Sequence, residues 1–448
     1  MLTVQSNSSP KYLLKLAWPV MLTQMGHILT NMVDTIFLGQ ISSTHQAAGL
    51  LASNLYTLIL VFAIGVSYVL TPLISSADFE KNDLKKATLF KNSLALNFII
   101  AFISFLVLYL SSGLLIYMQQ PSEVVVLAEP FYNVLIFSMI PVSIFFTCKQ
   151  YCEGLSLTLP ALYISVAGNV LNIILNYCLI YGVSIFPELG YIGSAWASFI
   201  ARLFMGISFL MYIFYSPLTN SIKNVYKQAK INYSDFIRLL KNGLNSGAQF
   251  TFEVAAFVIA GLMAGTFGKE VIDAHGIALH LAAFTYMFGN GIASASTIVV
   301  GNFMAEKNWQ QIKKVVTSSI KVIGIGMGLC ALIFVIANTY LPLCFTQNTE
   351  IVLIASQLLI IAAMFQLFDG LQVVFIGILR GVEDFKYSTL ITLIGYWIIA
   401  LPLAYLFAFV FNLDVYGIWY ALLISLIFVA LTLYFRIKYL IKKNLTFK

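Results

Sequence analysis

Apolar segments of about 20 residues, separated by short polar turns, recur along the whole of this 448-residue chain. A helix of about that length spans the hydrocarbon core of a bilayer, whereas membrane barrel strands show about ten alternating residues. The chain is therefore predicted to be an all-α polytopic membrane protein. Its twelve predicted transmembrane helices cover residues 13–38, 50–75, 92–118, 130–149, 160–182, 192–215, 242–265, 276–301, 318–344, 351–374, 387–411 and 415–437.

Basic residues are distributed unevenly between the predicted turns. All of the 25 Lys and Arg residues except Arg202 and Lys269 lie in the two tails, in the turns after even-numbered spans, or at the span ends next to them. Cytoplasmic loops carry the excess of Lys and Arg in membrane proteins. Both termini are therefore predicted to be cytoplasmic, and the loop around Lys269 is predicted to be external.

The second half of the chain repeats the first. A constant shift of 227 residues aligns most of the two halves and pairs Gly154 in EGLSL with Gly381 in RGVED. Near the last span the shift becomes 224, which pairs Gly193 with Gly417. Because an even number of spans preserves the chain direction, the two halves are predicted to be related by an axis along the membrane normal.

The repeat predicts an N-lobe of residues 1–215, a cytoplasmic linker of residues 216–241 and a C-lobe of residues 242–448. The predicted fold is two pseudo-symmetric six-helix bundles with a central cleft, which is typical of secondary transporters that work by alternating access. The stretch GNGIASAS lacks the Gly-Lys-Ser/Thr ending of a phosphate-binding loop. Transport is therefore predicted to use an ion gradient or to be passive.

Polar side chains inside the spans fall at helical spacing, so that each group shares one helix face. These polar stripes occur in both halves, and each half contains at least one carboxylate. The stripes are Gln24, His27, Asn31 and Asp34 in span 1; Asn169, Asn172 and Asn176 in span 5; Asn242, Asn245, Gln249 and Glu253 in span 7; and Gln366, Asp369 and Gln372 in span 10.

Asp34, Glu253 and Asp369 are the carboxylates that this topology places well inside spans. An acid at that depth is costly, and helix packing does not require one. Burial disfavours the charged form of a carboxyl group, so such a site can exchange H⁺, Na⁺ or an organic cation. If Glu253 and Asp369 face one another, they are expected to share one proton or cation.

Other intramembrane polar residues leave more than one interpretation open. Asn169, Asn245, Gln357 and Gln372 are predicted to hydrogen-bond between helices. Arg202 either neutralises one of the carboxylates, or reaches towards the interface or packs against a neighbouring span.

Aromatic and Met residues are abundant, and a few of them could form an adaptable wall for cationic amphiphiles through cation–π contact. Each of them alone is better explained by packing. The candidate substrate-binding residues are Gln249, Phe252, Tyr286, Met287, Phe288 and Phe365.

Composition agrees with a membrane protein, since 60% of the residues are hydrophobic, 10% are charged and the mean hydropathy is +0.90. The net charge of +7 comes mostly from the Lys and Arg residues that mark the cytoplasmic loops, so it does not indicate a nucleic-acid partner. The first apolar run is too long for a signal peptide and is interpreted as a retained span. The five cysteines lie in or beside spans, and core packing is their expected role.

Several segments together resemble the multidrug and toxic compound extrusion (MATE) transporters, on their NorM-like branch. The segments are VDTIFLGQ at 33–40, EGLSLTLPA at 153–161, NVLNIILNYCLIYG at 169–182, FEVAAF at 252–257 and MFQLFDGLQVVFIGILRG at 364–381. The resemblance covers nearly the whole chain. It implies export of organic cations in exchange for Na⁺ or H⁺, without a further cofactor.

The resemblance also implies roles for individual residues. Asp34 matches the first-span acid of the family's N-lobe cation site, and Asn172, Asn176 and Ser198 match its oxygen ligands, although relatives often have Thr at the last position. Glu253 and Asp369 match the C-lobe acids of NorM-like members. Asp34, Glu253 and Asp369 are accordingly candidate Na⁺ ligands.

Phe365 stands where some relatives have Tyr, which weakens the case for a phenolic ligand beside Asp369. Oxygen ligands suit Na⁺, but carboxylates suit H⁺ equally. The coupling ion therefore stays open.

The predicted function is a multidrug efflux antiporter of the inner membrane, acting as a monomer on organic cations among membrane lipids. The alternative is a lipid-linked precursor flippase, which needs a basic cavity, whereas these span interiors are acidic except at Arg202. An intramembrane enzyme would need a nucleophile and base or a metal constellation. No such pairing is visible in the sequence, so the protein is not expected to be an enzyme.

Overall fold

The computed structural model describes residues 7–113, 115 and 121–446. Within these ranges the chain is helical, with turns and bends but no strand. Eleven helical segments in the described part are long and apolar enough to cross a membrane. A twelfth, over the first predicted span, is a continuous helix of 32 residues, or about 48 Å, whose polar stripe lowers its hydropathy. The predicted all-α polytopic fold class is confirmed.

The membrane-length helices follow the twelve predicted spans in order. They are α1 (Pro10–Ile41), α2 (Ser43–Phe79), α3 (Asp83–Leu110), α4 (Ser122–Gly154), α5 (Leu159–Tyr181), α6 (Ile192–Tyr215), α7 (Tyr233–Gly265), α8 (Lys269–Ala305), α9 (Trp309–Ile336), α10 (Thr349–Gly381), α11 (Phe385–Val410) and α12 (Asp414–Thr446). Most begin or end several residues beyond the apolar core, because polar residues continue the helix outside it. The predicted end of span 3, residues 116–118, lies outside the described residues.

Three of these helices are locally irregular. A turn at Tyr68 and Val69 interrupts α2, and a 3₁₀ turn at Ile136–Ser138 interrupts α4. In α11, Ile394–Ala400 and Leu406–Val410 form wider π-helical turns. Such π-turns frequently occur at functional sites, because the extra residue turns side chains towards a new direction.

The chain forms two compact units. The N unit is Leu22–Gly247, and the C unit consists of the described residues within Met1–Met21 and Ala248–Lys448. This division differs from the predicted lobes at two places. The start of α1 belongs to the C unit because its apolar residues, among them Leu13 and Ala17, are buried in that unit's core. The predicted linker belongs to the N unit.

Two hydrogen bonds attach the linker to the start of α3. Lys91 Nζ donates to the carbonyl oxygen of Ala229 over 2.9 Å. The Asn232 backbone N–H donates to Asn92 Oδ1 over 3.2 Å. These contacts explain why the linker folds with the N unit, although it is polar and contains only the short helix Asn220–Tyr226 and the first residues of α7.

Glycines paired by the sequence repeat make equivalent close contacts in the two units. A Cβ atom on Gly154 would lie 2.9 Å from the carbonyl oxygen of Thr71, and one on Gly381 would lie 3.1 Å from that of Thr297. In each case the glycine lets the end of one helix approach the backbone of another. Both six-helix bundles are therefore built on the same helix–helix contact.

Candidate functional site

In the N unit, three side chains donate hydrogen bonds to the carboxylate of Asp34 on α1. Asn176 Nδ2 lies 2.8 Å and Asn172 Nδ2 lies 3.3 Å from Asp34 Oδ1. The Ser198 hydroxyl donates to Oδ2 over 2.5 Å. The two Asn residues lie one turn apart on α5, and Ser198 is on the neighbouring α6. The structure thus brings together all four residues that the sequence analysis proposed for this site.

The two amide groups have unused hydrogen-bonding capacity on their oxygen side. Asn172 and Asn176 are fully buried, and their Oδ1 atoms accept no hydrogen bond from the described residues. Buried polar atoms are normally satisfied by protein, water or an ion. The amide oxygens, the carboxylate and the hydroxyl are all of the oxygen type that hard cations prefer, although the amides present their Nδ2 atoms to Asp34 in this structure.

Arg202 lies one helical turn beyond Ser198 on α6. Its Nη1 donates to Ser138 Oγ over 2.7 Å, and its guanidinium carbon lies 5.1 Å from the centre of the Tyr56 ring. Its positive charge acts on the Asp34 carboxylate. The structure shows the packing against neighbouring spans, through Ser138 on α4 and Tyr56 on α2, and it also keeps the charge of Arg202 within electrostatic range of Asp34.

In the C unit, Glu253 on α7 belongs to a buried hydrogen-bond network. Gln372 Nε2 donates to Glu253 Oε1 over 3.1 Å and also lies 2.9 Å from the Tyr396 hydroxyl. That hydroxyl in turn lies 3.2 Å from Gln372 Oε1. Gln372 therefore does more than join helices, because one of its partners is the intramembrane acid itself.

The sequence analysis did not identify Tyr396. It lies in the first π-turn of α11 and is fully buried. One sequence signal could have found it, because the shift of 224 residues that applies near the last span pairs Tyr396 with Asn172.

Asp369 is one turn before Gln372 on α10 and is 5% exposed. It is close enough to Glu253 for the two carboxyl groups to interact electrostatically. The positive charge of Arg380, whose guanidinium lies 4.7 Å from the centre of the Phe250 ring, acts on Glu253. The C-unit site thus contains two acids and one basic group within electrostatic range.

Buried amide oxygens accompany these acids as well. Gln249 lies one turn before Glu253, and Gln366 lies one turn before Asp369. The Oε1 atom of each accepts no hydrogen bond from the part of the chain that the structure describes. Buried amide groups therefore lie one helical turn from the acids of the C unit, and buried amide groups also accompany Asp34 in the N unit.

The remaining candidate substrate residues occupy different environments. The Phe252 ring is partly buried, 6.2 Å from the ring of Trp397, and the Phe252 carbonyl accepts the indole N–H over 3.1 Å. Phe365 is 2% exposed and packs against Phe257 and Trp419 at 6.1 and 5.5 Å. Tyr286 and Phe288 pack at the edge of an apolar core cluster, and Met287 beside them is partly buried. Phe365 is thus a packing residue in this conformation.

No group of three or more His, Cys, Asp or Glu side chains that could hold a metal ion occurs within the described ranges. Sites for Zn²⁺ and similar ions are built from such groups, whereas a monovalent cation is satisfied by a carboxylate with neutral oxygens.

Comparison with known proteins identifies the family. The sequence profile of the MatE family matches residues 19–178 and 246–406. A probable multidrug resistance protein NorM of Pseudomonas putida is 30% identical, with 97% of this chain and 95% of that protein aligned. The NorM protein of Photobacterium profundum is 27% identical over 96% and 95% of the two chains.

Similarity in structure extends over the same length. The crystal structure of the eukaryotic MATE transporter AtDTX14 has a TM-score of 0.87 to this chain, with 18% identity and 97% of each chain covered. At that identity the likeness concerns the fold. The profile match and the two bacterial relatives go further, and they show that this chain belongs to the MatE family of membrane transporters, on its NorM-like branch.

Proposed function

We propose that this protein is a secondary antiporter that expels cationic, amphipathic compounds from the cell in exchange for Na⁺ or H⁺. Its relatives in Pseudomonas putida and Photobacterium profundum are described as multidrug resistance proteins. The observation that carries the proposal is a carboxylate accompanied by buried amide oxygens in each unit: Asp34 is half-buried in the N unit, and Glu253 and Asp369 are buried in the C unit. Such a site attracts cations, because its carboxylate is negatively charged when ionised.

The exchange requires that the ion and the drug compete or prefer different conformations. A proton or Na⁺ that binds the carboxylates removes negative charge from the site, and the organic cation loses part of its attraction. Alternating access then returns the ion to the cytoplasm and exposes the empty acids to a new drug molecule. The acids Asp34, Glu253 and Asp369 supply the charge in this cycle.

The location proposed for the protein is the cytoplasmic membrane, with both termini in the cytoplasm. The distribution of Lys and Arg supports this orientation. The bacterial relatives support the inner membrane as the site of action.

The proposal is tested in proteoliposomes loaded with a fluorescent organic cation. A Na⁺ gradient and a pH gradient of equal driving force are imposed separately, and the rate of cation export is followed. The wild-type protein is expected to export the dye with at least one gradient. Lack of export with both gradients would contradict the antiport mechanism.

Substitutions of the acids connect transport to the two sites. Asp34→Asn, Glu253→Gln and Asp369→Asn are expected to reduce gradient-driven export, because each removes a charge that binds the ion. Asp273→Asn and Glu129→Gln are matched controls, since both acids are exposed near helix ends. Full export by Asp34→Asn would remove the N-unit site from the mechanism, and full export by both other variants would remove the C-unit site.

A further inference from the structure

The polar segment between the two halves of the chain carries a strong positive charge. Residues 216–241 contain five basic residues and one acid, Asp235. The basic residues are Lys223, Lys227, Lys230, Arg238 and Lys241, and all five are exposed. A basic segment of this size directly beside membrane helices is the pattern that binds anionic lipid headgroups.

This segment is an anchored part of the N unit. Ile222 and Ala229 are buried, and the Tyr226 ring packs edge to face on the Phe214 ring at 5.1 Å. The two hydrogen bonds to the start of α3 hold the segment as well. Its exposed lysines are therefore carried by a fixed backbone, so that little conformational freedom is lost when they bind a surface.

Lys223 lies beside an aromatic residue at the end of a membrane helix. Its ammonium group is 5.2 Å from the centre of the ring of Tyr215, the last residue of α6. Tyr215 is 72% exposed, and Tyr residues at the ends of membrane helices lie at the level of the lipid headgroups. The positive charge of Lys223 is thus placed next to the membrane surface.

The exposed residues of α7 show which face of that helix meets lipid. Tyr233, Ile237, Leu244, Val258 and Leu262 are large, apolar and exposed. At 3.6 residues per turn they lie within about 60° of one another around the helix, and the polar stripe of α7 lies on the opposite side. Polar residues of a membrane helix face the protein interior, so the exposed apolar face meets lipid.

This lipid-facing side continues beyond the apolar core of the membrane. Tyr233 and Ile237 precede residue 242, where the predicted span begins, yet they share one face with the lipid-facing residues inside it. They therefore lie at headgroup depth, where apolar side chains insert at the boundary with the acyl chains. Lys241 lies about 40° from Ile237 around the same helix, so that a basic residue and the apolar face are adjacent.

From these observations we infer that this segment forms a binding surface for an anionic phospholipid. The linker surface consists of Lys223, Lys227, Lys230, Tyr233, Ile237 and Lys241. Its lysines bind the headgroup phosphate, and its apolar residues pack against the acyl chains. A soluble anion would contact only the lysines, whereas a phospholipid contacts both groups.

The inference rests on the proposed function for its setting, because the orientation given there places the linker surface at the cytoplasmic leaflet. That leaflet is the one with a negative surface potential. The bound lipid anchors the segment that leads from α6 into α7 at the membrane surface.

Native mass spectrometry of the full-length protein in detergent tests the binding. Dioleoyl phosphatidylglycerol is added in increasing amounts, and dioleoyl phosphatidylcholine is the zwitterionic reference. The wild type is expected to bind phosphatidylglycerol in preference. One basic residue near an anionic surface changes affinity about fivefold, so Lys223→Gln/Lys227→Gln/Lys230→Gln is expected to weaken phosphatidylglycerol binding by at least roughly tenfold. Absence of any preference in the wild type would overturn the inference.

A matched triple variant removes the same charge from another basic segment. Lys438, Lys442 and Lys443 are exposed near the end of α12, on the same predicted side of the membrane. Lys438→Gln/Lys442→Gln/Lys443→Gln is expected to keep the preference for phosphatidylglycerol. Equal losses in the two triple variants would attribute the binding to net charge alone and overturn the linker surface.

Two further measurements distinguish a phospholipid from other anions. Inorganic phosphate in excess is not expected to displace phosphatidylglycerol, and displacement would indicate a simple phosphate site. Tyr233→Ser/Ile237→Ser leaves the charge unchanged and is expected to weaken phosphatidylglycerol binding severalfold, because the contact with the acyl chains is lost. Unchanged affinity in this variant would leave only an ionic contact and would overturn the inference.

Thermal unfolding in detergent checks that each variant is folded. If a triple variant does not fold, the wild type supplies the test, because its preference for phosphatidylglycerol should decrease as NaCl screens the charges. A preference that is independent of salt would overturn the inference.

The lipid measurement does not depend on transport. If the wild type exports no cation under any gradient, the proposed function fails while mass spectrometry still decides the lipid surface. If the wild type transports and both triple variants bind phosphatidylglycerol equally, only this inference fails.

Discussion

The N unit and the C unit place carboxylates in the same kind of helical bundle but balance their charges differently. In the N unit, Asp34 has Arg202 within electrostatic range, and Glu153 has Lys149 as its ion-pair partner. In the C unit, Glu253 and Asp369 have only Arg380 among the intramembrane charges described above.

The difference shows that the repeat preserves packing and not chemistry. Close glycine contacts recur in both units, because the distance between two helix backbones depends on the absence of a Cβ atom. The acids do not recur, since a polar residue is compatible with any position that faces the interior and has a partner. With both acids ionised, the C-unit site carries one more negative than positive charge, which one shared proton or cation would neutralise.

The largest change in stability is expected from substitutions at the glycine contact that the two units share. Gly154→Ala and Gly381→Ala should each lower the free energy of unfolding by roughly 2 to 3 kcal/mol, in the upper part of the range for overpacking. The added Cβ would meet a backbone oxygen that cannot move aside. Thermal unfolding in detergent measures the change.

Gly324→Ala is the control for this pair, because a Cβ at that helical position meets nothing within 4 Å. It should be neutral or stabilise α9 by about 0.5 to 1 kcal/mol. Destabilisation by only one of the two paired variants would mean that the bundles do not share this contact.

A somewhat smaller effect is expected in the N unit from the loss of one donor to Asp34. Ser198→Ala removes the 2.5 Å hydrogen bond to the carboxylate, and hydrogen bonds to charged groups contribute about 1.5 to 3 kcal/mol. Na⁺ should bind more weakly because the site loses a hydroxyl oxygen, whereas a proton should bind more tightly because the ionised carboxylate loses a donor. The ion concentration that gives half-maximal export measures either change. Ser198→Thr keeps the hydroxyl and should behave like the wild type; equal losses in both variants would argue for a steric cause.

In the C unit, the two acids are expected to act as one site. Glu253→Gln and Asp369→Asn should each weaken cation binding about tenfold, or 1.4 kcal/mol. The loss of cation affinity in the double variant should be clearly smaller than the product of the two single losses, because acids that share one proton or cation are coupled. Isothermal titration with the organic cation measures the affinities for this double-mutant cycle. Strictly additive losses of binding free energy would show that the two acids act independently.

The smallest effect is expected at Tyr396. Tyr396→Phe removes the hydroxyl contacts with Gln372 and should cost about 1 kcal/mol of unfolding free energy. It should also alter cation affinity in the C unit, because Gln372 is then free to change its contact with Glu253. Tyr405→Phe on the same helix is the control, since Tyr405 is exposed, and an equal effect there would exclude a specific role for Tyr396.

Much of the fold followed from hydrophobicity alone. Segments of about 20 apolar residues have few alternatives to a membrane helix, because backbone groups in lipid must be satisfied within the segment. The boundaries of the two units were harder to predict from the sequence. The burial of Leu13 and Ala17 in the C unit depends on which helix faces they meet, and apolar residues of α1 look the same whichever unit they join.

The site residues that could be predicted from the sequence are those whose insertion into a membrane is most unfavourable in free energy. Asp34, Glu253 and Asp369 stood out because an acid inside an apolar span needs an explanation. Tyr396 and the pairing of Lys149 with Glu153 did not stand out. A Tyr in a membrane helix is common, and basic and acidic residues near a span end resemble ordinary interfacial residues.

The sequence by itself determined the number and order of the helices, the repeat and the intramembrane acids, since each depends on the energy of single residues or segments in lipid. Only the tertiary structure decided which donors hold each acid, that Arg202 is fixed by Ser138 and Tyr56, and that Lys149 and Glu153 are fully buried. Those properties depend on distances between side chains, many of them on different helices. Helical spacing gives the face on which a residue lies but not the partner that it meets there.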